Sequence, residues 1–420
     1  MRRTLGGQGG EGGLVSRIAS VSALLLTQLS PVILLSITYP FAASRLAGIQ
    51  LGGLPFPRLL LATSLTAPWL SQIVCMPLFA ALSPHVAAGR KAHLTARALE
   101  AWPLVFAASV PVVVLLAVPV WLRERWSLPA MLAYMTLCLL NAGFAQSLVY
   151  SIIKRNGKLW ALGWLVYAAA LFAVPRLWFL PPLAGMLLQT LYLAWHSRIL
   201  SLRPVRPERI VAGLGKGMLL GCVLWSDKYF YFLRFPGNFD PALVFGAMLP
   251  AIVAYNYYFA LLAPRTDGLV DSVRKAMTGA PLTSLREECD TLSEHIRSST
   301  FQAGLVCALL SIAALAGLRV ADPAATRAAA AEMLACWCFV MGTLACYKLA
   351  YLGQDRLAYG YGALHLALAC AIFAAGPSGP AVYLTLAAAE ILMVALILRT
   401  CLRGWARPEF MLFWRHAIQW

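Results

Sequence analysis

Charge is what this sequence has least of. Aspartate, glutamate, lysine and arginine make up 12% of its 420 residues, about half the share usual in globular domains. So thin a supply cannot clothe the two or three soluble domains that a chain of this length would otherwise form. Low hydrophobicity is missing too: 60% of the residues are hydrophobic, which excludes intrinsic disorder. Apolar–polar alternation over about ten residues, the mark of a transmembrane β-barrel, is absent from its long apolar runs. There is no Gly-rich loop closing on Lys-Ser/Thr and no His-Glu-x-x-His or Gly-x-Ser-x-Gly motif. Nucleotide hydrolysis, zinc proteolysis and α/β-hydrolase chemistry thus lose their usual signatures. Cys336-x-Cys338 has no second ligand pair, so the ten cysteines are expected to be reduced packing residues, with no metal, cofactor or catalytic residue implied.

What the sequence has in abundance is apolar runs long enough to cross a bilayer, which takes roughly 20 residues. They cover 18–43, 58–82, 102–121, 128–153, 159–175 and 177–197, then 212–233, 241–263, 300–318, 331–353, 357–375 and 380–398. The fold class is therefore an all-α integral membrane protein of about twelve transmembrane helices. Helices are required because an unpaired backbone group in lipid costs several kcal/mol.

The excess of 34 basic over 17 acidic residues raises the question of nucleic acid, and its placement answers it. With the N-terminus cytoplasmic, 25 basic residues fall in cytoplasmic segments, 8 in outer segments, and Lys228 inside a span. A bias of that size, kept loop after loop, is the positive-inside pattern. It predicts a multi-pass protein of the cytoplasmic membrane with both termini inside, and no nucleic-acid partner. The basic start Met1-Arg2-Arg3 is separated from the first apolar run by glycines, so that run reads as a retained helix and not a cleaved leader.

The expected organisation is a flexible tail over 1–17, a lobe of six spans over 18–200, a linker at 201–211, a second six-span lobe over 212–404 and a tail at 405–420. Two such bundles place a substrate site between them. The repeat rests on spacing alone. A polar stretch at 264–299 predicts two short cytoplasmic helices, the second capped by Ser284 and Glu287. Leu285, Leu292 and Ile296 would then share one face.

Ionisable groups inside spans are rare, and they face the protein interior or a wet cavity. Asp227 and Lys228 are adjacent in span seven, within Trp225–Tyr231. Neighbours on a helix point about 100° apart, so each is expected to find a partner on another helix. Glu390 in span twelve is a candidate partner for Lys228 or Lys348, and His365 in span eleven is a candidate proton site. Polar candidates for a pathway are Asn141, Gln146, Gln28 and Gln72. Tyr255 and Asn256 belong to an aromatic run between Pro250 and Pro264 that suits a kink. Gly213, Gly217 and Gly221 predict a close helix approach.

The order from Gly221 to Gln302 carries a resemblance. Gly-Cys-Val-Leu-Trp-Ser-Asp-Lys-Tyr-Phe-Tyr-Phe at 221–232 is followed by Phe239-Asp240-Pro241-Ala242, by Phe245–Ala251, and by a charged helix pair. This resembles the PelG family, inner-membrane transporters of the Pel exopolysaccharide system within the MOP flippase superfamily. Arg90 and the stretch Ser151–Gly163 are similar more loosely. The chain departs from the family at Ala263–Asp267, where a Glu-Thr element is usual. The resemblance implies a MATE-like arrangement of two six-helix lobes and export of a polysaccharide or lipid-linked glycan. It also implies partnership with a cytoplasmic glycosyltransferase, other membrane subunits of a synthase complex and membrane lipid. The rival expectations are a cation-coupled drug or metabolite antiporter and an integral-membrane glycosyl- or acyltransferase.

Overall fold

The computed structural model describes residues 10–87, 94–196, 205–236, 239–377, 379 and 381–417. Arg2, Arg3, Arg90, Lys91, Arg198 and Arg203 lie outside them, as do residues 1–9 of the expected tail and 201–204 of the expected linker.

Helices run almost from end to end. The first half contains α1 (Gly10–Ala47), α2 (Phe56–Ala87), α3 (Leu94–Ala107), α4 (Ser109–Glu124), α5 (Leu128–Ile153), α6 (Gly157–Ala173) and α7 (Leu180–His196). The second contains α8 (Pro207–Arg234), α9 (Pro241–Tyr257), a π-helical turn (Tyr258–Leu262), α10 (Ala263–Met277), α11 (Leu282–Ala321), α12 (Pro323–Tyr351), α13 (Asp355–Ala375), α14 (Ala381–Trp405) and α15 (Pro408–Ala417). Ten helical stretches among the described residues are long and apolar enough to cross a membrane. The 17-residue helices α6 and α7 sit at the lower limit of spanning length and complete the two sixes. The chain is a multi-pass membrane protein.

Local chemistry sets the ends of these helices. Ser127, Asn156 and Asp240 accept hydrogen bonds from the first-turn amides of α5, α6 and α9, which satisfies donors that a helix start leaves unpaired. A two-residue hairpin, Gln50–Leu51 with Leu54–Pro55, joins α1 to α2. Its turn uses Gly52 and Gly53 at φ +59° and +85°, a conformation that favours glycine. A Cβ on Gly52 would also lie 2.3 Å from the Ala130 amide nitrogen, so the turn rests directly on the start of α5.

Several boundaries differ from the sequence expectation. The expected tail is already helical from Gly10, and the expected linker from Pro207. Span three is two helices, α3 and α4, divided at Ala108. Pro111 has no amide proton and crowds the carbonyl of Ala107. Span eight passes through the π-helical turn before α10; Pro264 cannot donate to the carbonyl of Ala260, and such widened turns absorb the mismatch. The second of the two expected short helices is not separate, because α11 continues unbroken into span nine. Nor does the Ser284–Glu287 cap form. Helix α11 starts at Leu282 behind Pro281, and the Ser284 hydroxyl donates to the Pro281 carbonyl at 2.9 Å. Leu292 and Ile296 are buried as expected, with Leu285 packed beside them. The end of the chain is the helix α15, where a tail was expected.

The repeat that residue identity does not display is visible in how helices pair. In the first lobe α1 packs on α6, α2 on α5 and α3, and α7 on α5 and α6. In the second, α8 packs on α13, α9 on α12 and α11, and α14 on α12 and α13. Each pairing is the other's equivalent six spans later. The lobes meet along two seams. One joins α2 to α8, and the other joins α1 to α9 and the π-helical turn.

Candidate functional site

The α2–α8 seam is built from the glycines of α8. A Cβ on Gly213 would stand 2.9 Å from Pro77 Cα, and one on Gly217 would stand 2.5 Å from the Gln72 carbonyl oxygen. Gly221 faces Gln72 and Trp69. Without side chains at these places the two backbones come within touching distance. Trp69 then reaches across, its indole N–H donating to the Met218 carbonyl at 3.1 Å. On the side away from the amino terminus, Arg123 of α4 donates to the carbonyls of Leu233 and Arg234. That places a cation at the negative end of α8.

Beyond the seam, α8 directs Ser226, Asp227 and Lys228 into the second lobe, all three buried. Contrary to the sequence expectation, Asp227 and Lys228 pair with each other: Lys228 Nζ donates to Asp227 Oδ2 at 2.7 Å. The 100° between neighbouring Cβ directions is overcome by the four-carbon lysine stem, which folds back across the helix. The ammonium also reaches Cys336 Sγ at 3.1 Å and lies 5.4 Å from the Phe339 ring, which adds a cation–π attraction in a dry setting. Glu332 stands one turn before Cys336 on α12, buried, and interacts electrostatically with both Asp227 and Lys228. Asp227 Oδ1, Glu332 Oε1 and Tyr383 Oη are buried without a hydrogen-bond partner among the described residues. Two carboxyl groups thus share one lysine.

A second cluster lies on the other side of Phe339, whose ring meets His365 edge-on at 5.2 Å. His365 Nδ1 and Glu390 Oε1 are 2.8 Å apart, and Tyr361 Oη donates to Glu390 Oε2 at 3.0 Å. Ser226 Oγ stands 3.4 Å from His365 Nε2. Glu390 therefore pairs with neither Lys228 nor Lys348, the partners its sequence position allowed. The tyrosine fits because Gly342 faces it; a Cβ there would be 2.1 Å from Tyr361 Oη. Two residues singled out separately, His365 and Glu390, form one network, and Ser226 connects it to the helix that carries Asp227.

Lys348 is the second buried lysine among the described residues. Its ammonium donates to the Ile296 carbonyl, Ser299 Oγ and the Thr300 hydroxyl, and it stands 5.1 Å from the Tyr258 ring. Three neutral acceptors satisfy its three donors.

The remaining candidates divide. Gln72 is exposed in mid-span beside the seam, and Gln28 is half-buried. Trp225, Tyr255 and Asn256 are half-buried, with Tyr255 against Phe259 at a centroid distance of 4.6 Å. The Asn256 amide donates to the Ile252 carbonyl of its own helix. Asn141 is half-buried, donating to Leu137 and accepting from Tyr167. Gln146 differs from these in its burial. It is buried in the first lobe, where it accepts from Trp102 and donates to Val74 and Ser109.

Glu332, Tyr361, Arg155 and Asp267 are not among the site candidates that the sequence singles out. Arg155, in the turn between α5 and α6, pairs with Asp267 of α10 at 3.5 Å. This pair joins the two lobes, and Tyr351 of α12 also donates to Asp267. All ten cysteines are free, and the described residues contain no group of three or more metal-ligand side chains.

No protein-family model and no curated protein matches the chain. Solved structures do. An outward-facing multidrug resistance MATE family transporter of the MOP superfamily aligns with 93% of this chain and 96% of its own, at a TM-score of 0.54 and 10% identity. A MATE protein in complex with MaD3S aligns over the same shares at 0.53 and 11%, and MATE in its straight conformation at 0.53 and 10%. At such identity the likeness is one of fold, a MATE-like arrangement of helices in two lobes.

Proposed function

We propose that the chain is an exporter of the MOP type that moves a polysaccharide or lipid-linked glycan outward across the cytoplasmic membrane, as the resemblance of 221–302 to the PelG family implies. The observation that carries the reading is a two-lobed fold in which the helix at the lobe boundary also carries buried charge. Asp227 and Lys228 sit on the helix that forms the α2–α8 seam. Any relative motion of the lobes moves that helix, and the desolvated ions on it must keep their partners. Trp225 and Gln72 beside the seam, and Tyr255 and Asn256 at the widened turn of span eight, are the half-open groups suited to passing a hydroxylated chain. The bias of basic residues puts both termini in the cytoplasm, where a glycosyltransferase would deliver substrate and other synthase subunits would assemble.

A second reading is favoured by one observation. The unpartnered oxygens of Asp227 and Glu332 suit a small cation, as a cation-coupled antiporter of drugs or metabolites requires. An integral-membrane transferase is not supported by any observation here.

The test is Asp227→Asn at matched protein level. Surface polysaccharide should fall severalfold or more while the membrane amount of the protein stays constant. Unchanged polysaccharide sinks the role given to the pair. Gradient-driven flux of a small cationic drug in vesicles lacking any glycosyltransferase would favour the antiporter instead.

A further inference from the structure

The last turns of α14 and the helix α15 carry a feature that transport does not use. One face of α14 is buried, through Leu386, Glu390, Val394, Ile397 and Cys401. The opposite face is exposed and apolar at Leu384, Ile391, Leu392 and Leu396, then turns basic at Arg399 and Arg403. From Ala381 to Leu398 the helix rises about 26 Å, close to the roughly 30 Å of a hydrocarbon core. Arg399 therefore leaves the hydrocarbon at headgroup depth, on the lipid-facing stripe itself. Arg407 follows in the turn, also exposed.

Helix α15 extends this surface sideways. Leu412 is buried where α15 packs on α10 and α11, while Phe410 and Phe413 are exposed. An amphipathic helix with aromatic residues on its outer face lies in the membrane interface. The acid of α15, Glu409, is half-buried and turned towards Cys289. Among the described residues no ion pair engages Arg399, Arg403 or Arg407, whereas Arg97, Arg155 and Arg274 each have a carboxylate.

We infer that Arg399, Arg403 and Arg407, with Phe410 and Phe413, form a docking surface for anionic phospholipid headgroups of the leaflet on the amino-terminal side. The argument is charge complementarity on a face continuous with the lipid-facing stripe. It does not depend on what is transported or in which direction.

The test uses the full chain in nanodiscs of phosphatidylcholine doped with phosphatidylglycerol, with retained lipid read by native mass spectrometry. The wild type should hold phosphatidylglycerol in preference to phosphatidylcholine. Removing each arginine should weaken that preference about fivefold, so Arg399→Gln/Arg403→Gln/Arg407→Gln should abolish it. Arg403→Gln alone should show the single step and serves if the triple variant is not monodisperse. The triple lysine variant should keep most of the preference, and Arg286→Gln/Arg297→Gln, which also removes exposed arginines on the same side, should keep all of it. A triple glutamine variant that binds like wild type overturns the proposal, as does an equal loss in the Arg286/Arg297 control. Arginine-dependent stabilisation by inorganic phosphate in pure phosphatidylcholine discs would assign the surface to a free anion and overturn it too.

Discussion

The two lobes share a helix-pairing scheme and differ in what they bury. Among the described residues of the first lobe, the polar residues buried as a whole are neutral, Thr63, Thr66, Thr95, Ser109, Gln146, Ser147, Ser151 and Gln189, and the two buried carboxylates, Glu100 and Glu124, each pair with an arginine that reaches solvent. The neutral groups find partners within their own lobe, as when Thr66 meets the Tyr134 hydroxyl at 2.6 Å and Thr95 meets that of Tyr150 at 2.9 Å. In the second lobe Asp227, Lys228, His295, Glu332, Lys348, His365 and Glu390 are all buried. Neutral pairs can be exchanged for apolar packing at little cost, but a buried ion left without its partner is severely penalised. On the exporter reading proposed above, the difference would locate the switchable chemistry in the second lobe and give the first the character of a scaffold.

The contrast can be broken most forcefully at Lys228. Lys228→Met leaves Asp227 charged, buried and close to Glu332, and should cost about 3–5 kcal/mol. Thermal unfolding in detergent should show it as a large drop in midpoint. Asp227→Asn/Lys228→Met removes both charges and should restore most of the loss. A single variant as stable as the wild type would mean that the pair is hydrated, and the contrast between the lobes would collapse.

The matching test in the first lobe is Gln146→Leu. It strands the Trp102 indole N–H and removes a donor from Ser109, for about 1–3 kcal/mol. Transport should survive at permissive temperature, because nothing in this network is charged. Loss of transport with stability intact would show that the first lobe is more than scaffold.

Which ionisable residues are buried is easier to read from sequence than whom they meet. An ionisable side chain in a long apolar run is expensive enough to stand out, so Asp227, Lys228, His365 and Glu390 are legible. Their partners depend on the register between helices far apart in sequence, as with the 25 residues separating His365 from Glu390. Glu332 was hidden differently. A hydropathy boundary at 331 put it at a span edge, whereas the alanine-rich stretch before it extends α12 back to Pro323 and sets Glu332 well inside. The contacts of Gln146 are not legible, because an amide in a span looks alike whether it lines water or is held by an indole from α3. The twelve spans and their division in half were legible because bilayer thickness imposes them on the composition.

The smallest expected effect lies outside the hydrophobic layer, where the lobes touch through Arg155 and Asp267. The pair is exposed, with side-chain accessibilities of 72% and 38%, so its contribution to global stability should be about 0–1 kcal/mol. Its geometry is less ordinary. Arg155 adopts φ +52°, a backbone conformation that disfavours a side chain by about 1–2 kcal/mol relative to glycine. Glycine there would relieve the backbone and abolish the ion pair, so two roles separate in one substitution. If Arg155 merely completes the turn between α5 and α6, Arg155→Gly should be neutral or slightly stabilising in every assay. If it fastens the lobes, Arg155→Gly should leave the melting temperature unchanged or raised while spin labels on the α5–α6 turn and on α10 move apart. Asp267→Asn should reproduce the separation, because it breaks the same contact from the other lobe. Equal label distances in all three proteins would leave the α2–α8 glycine seam as the contact that holds the lobes in this arrangement.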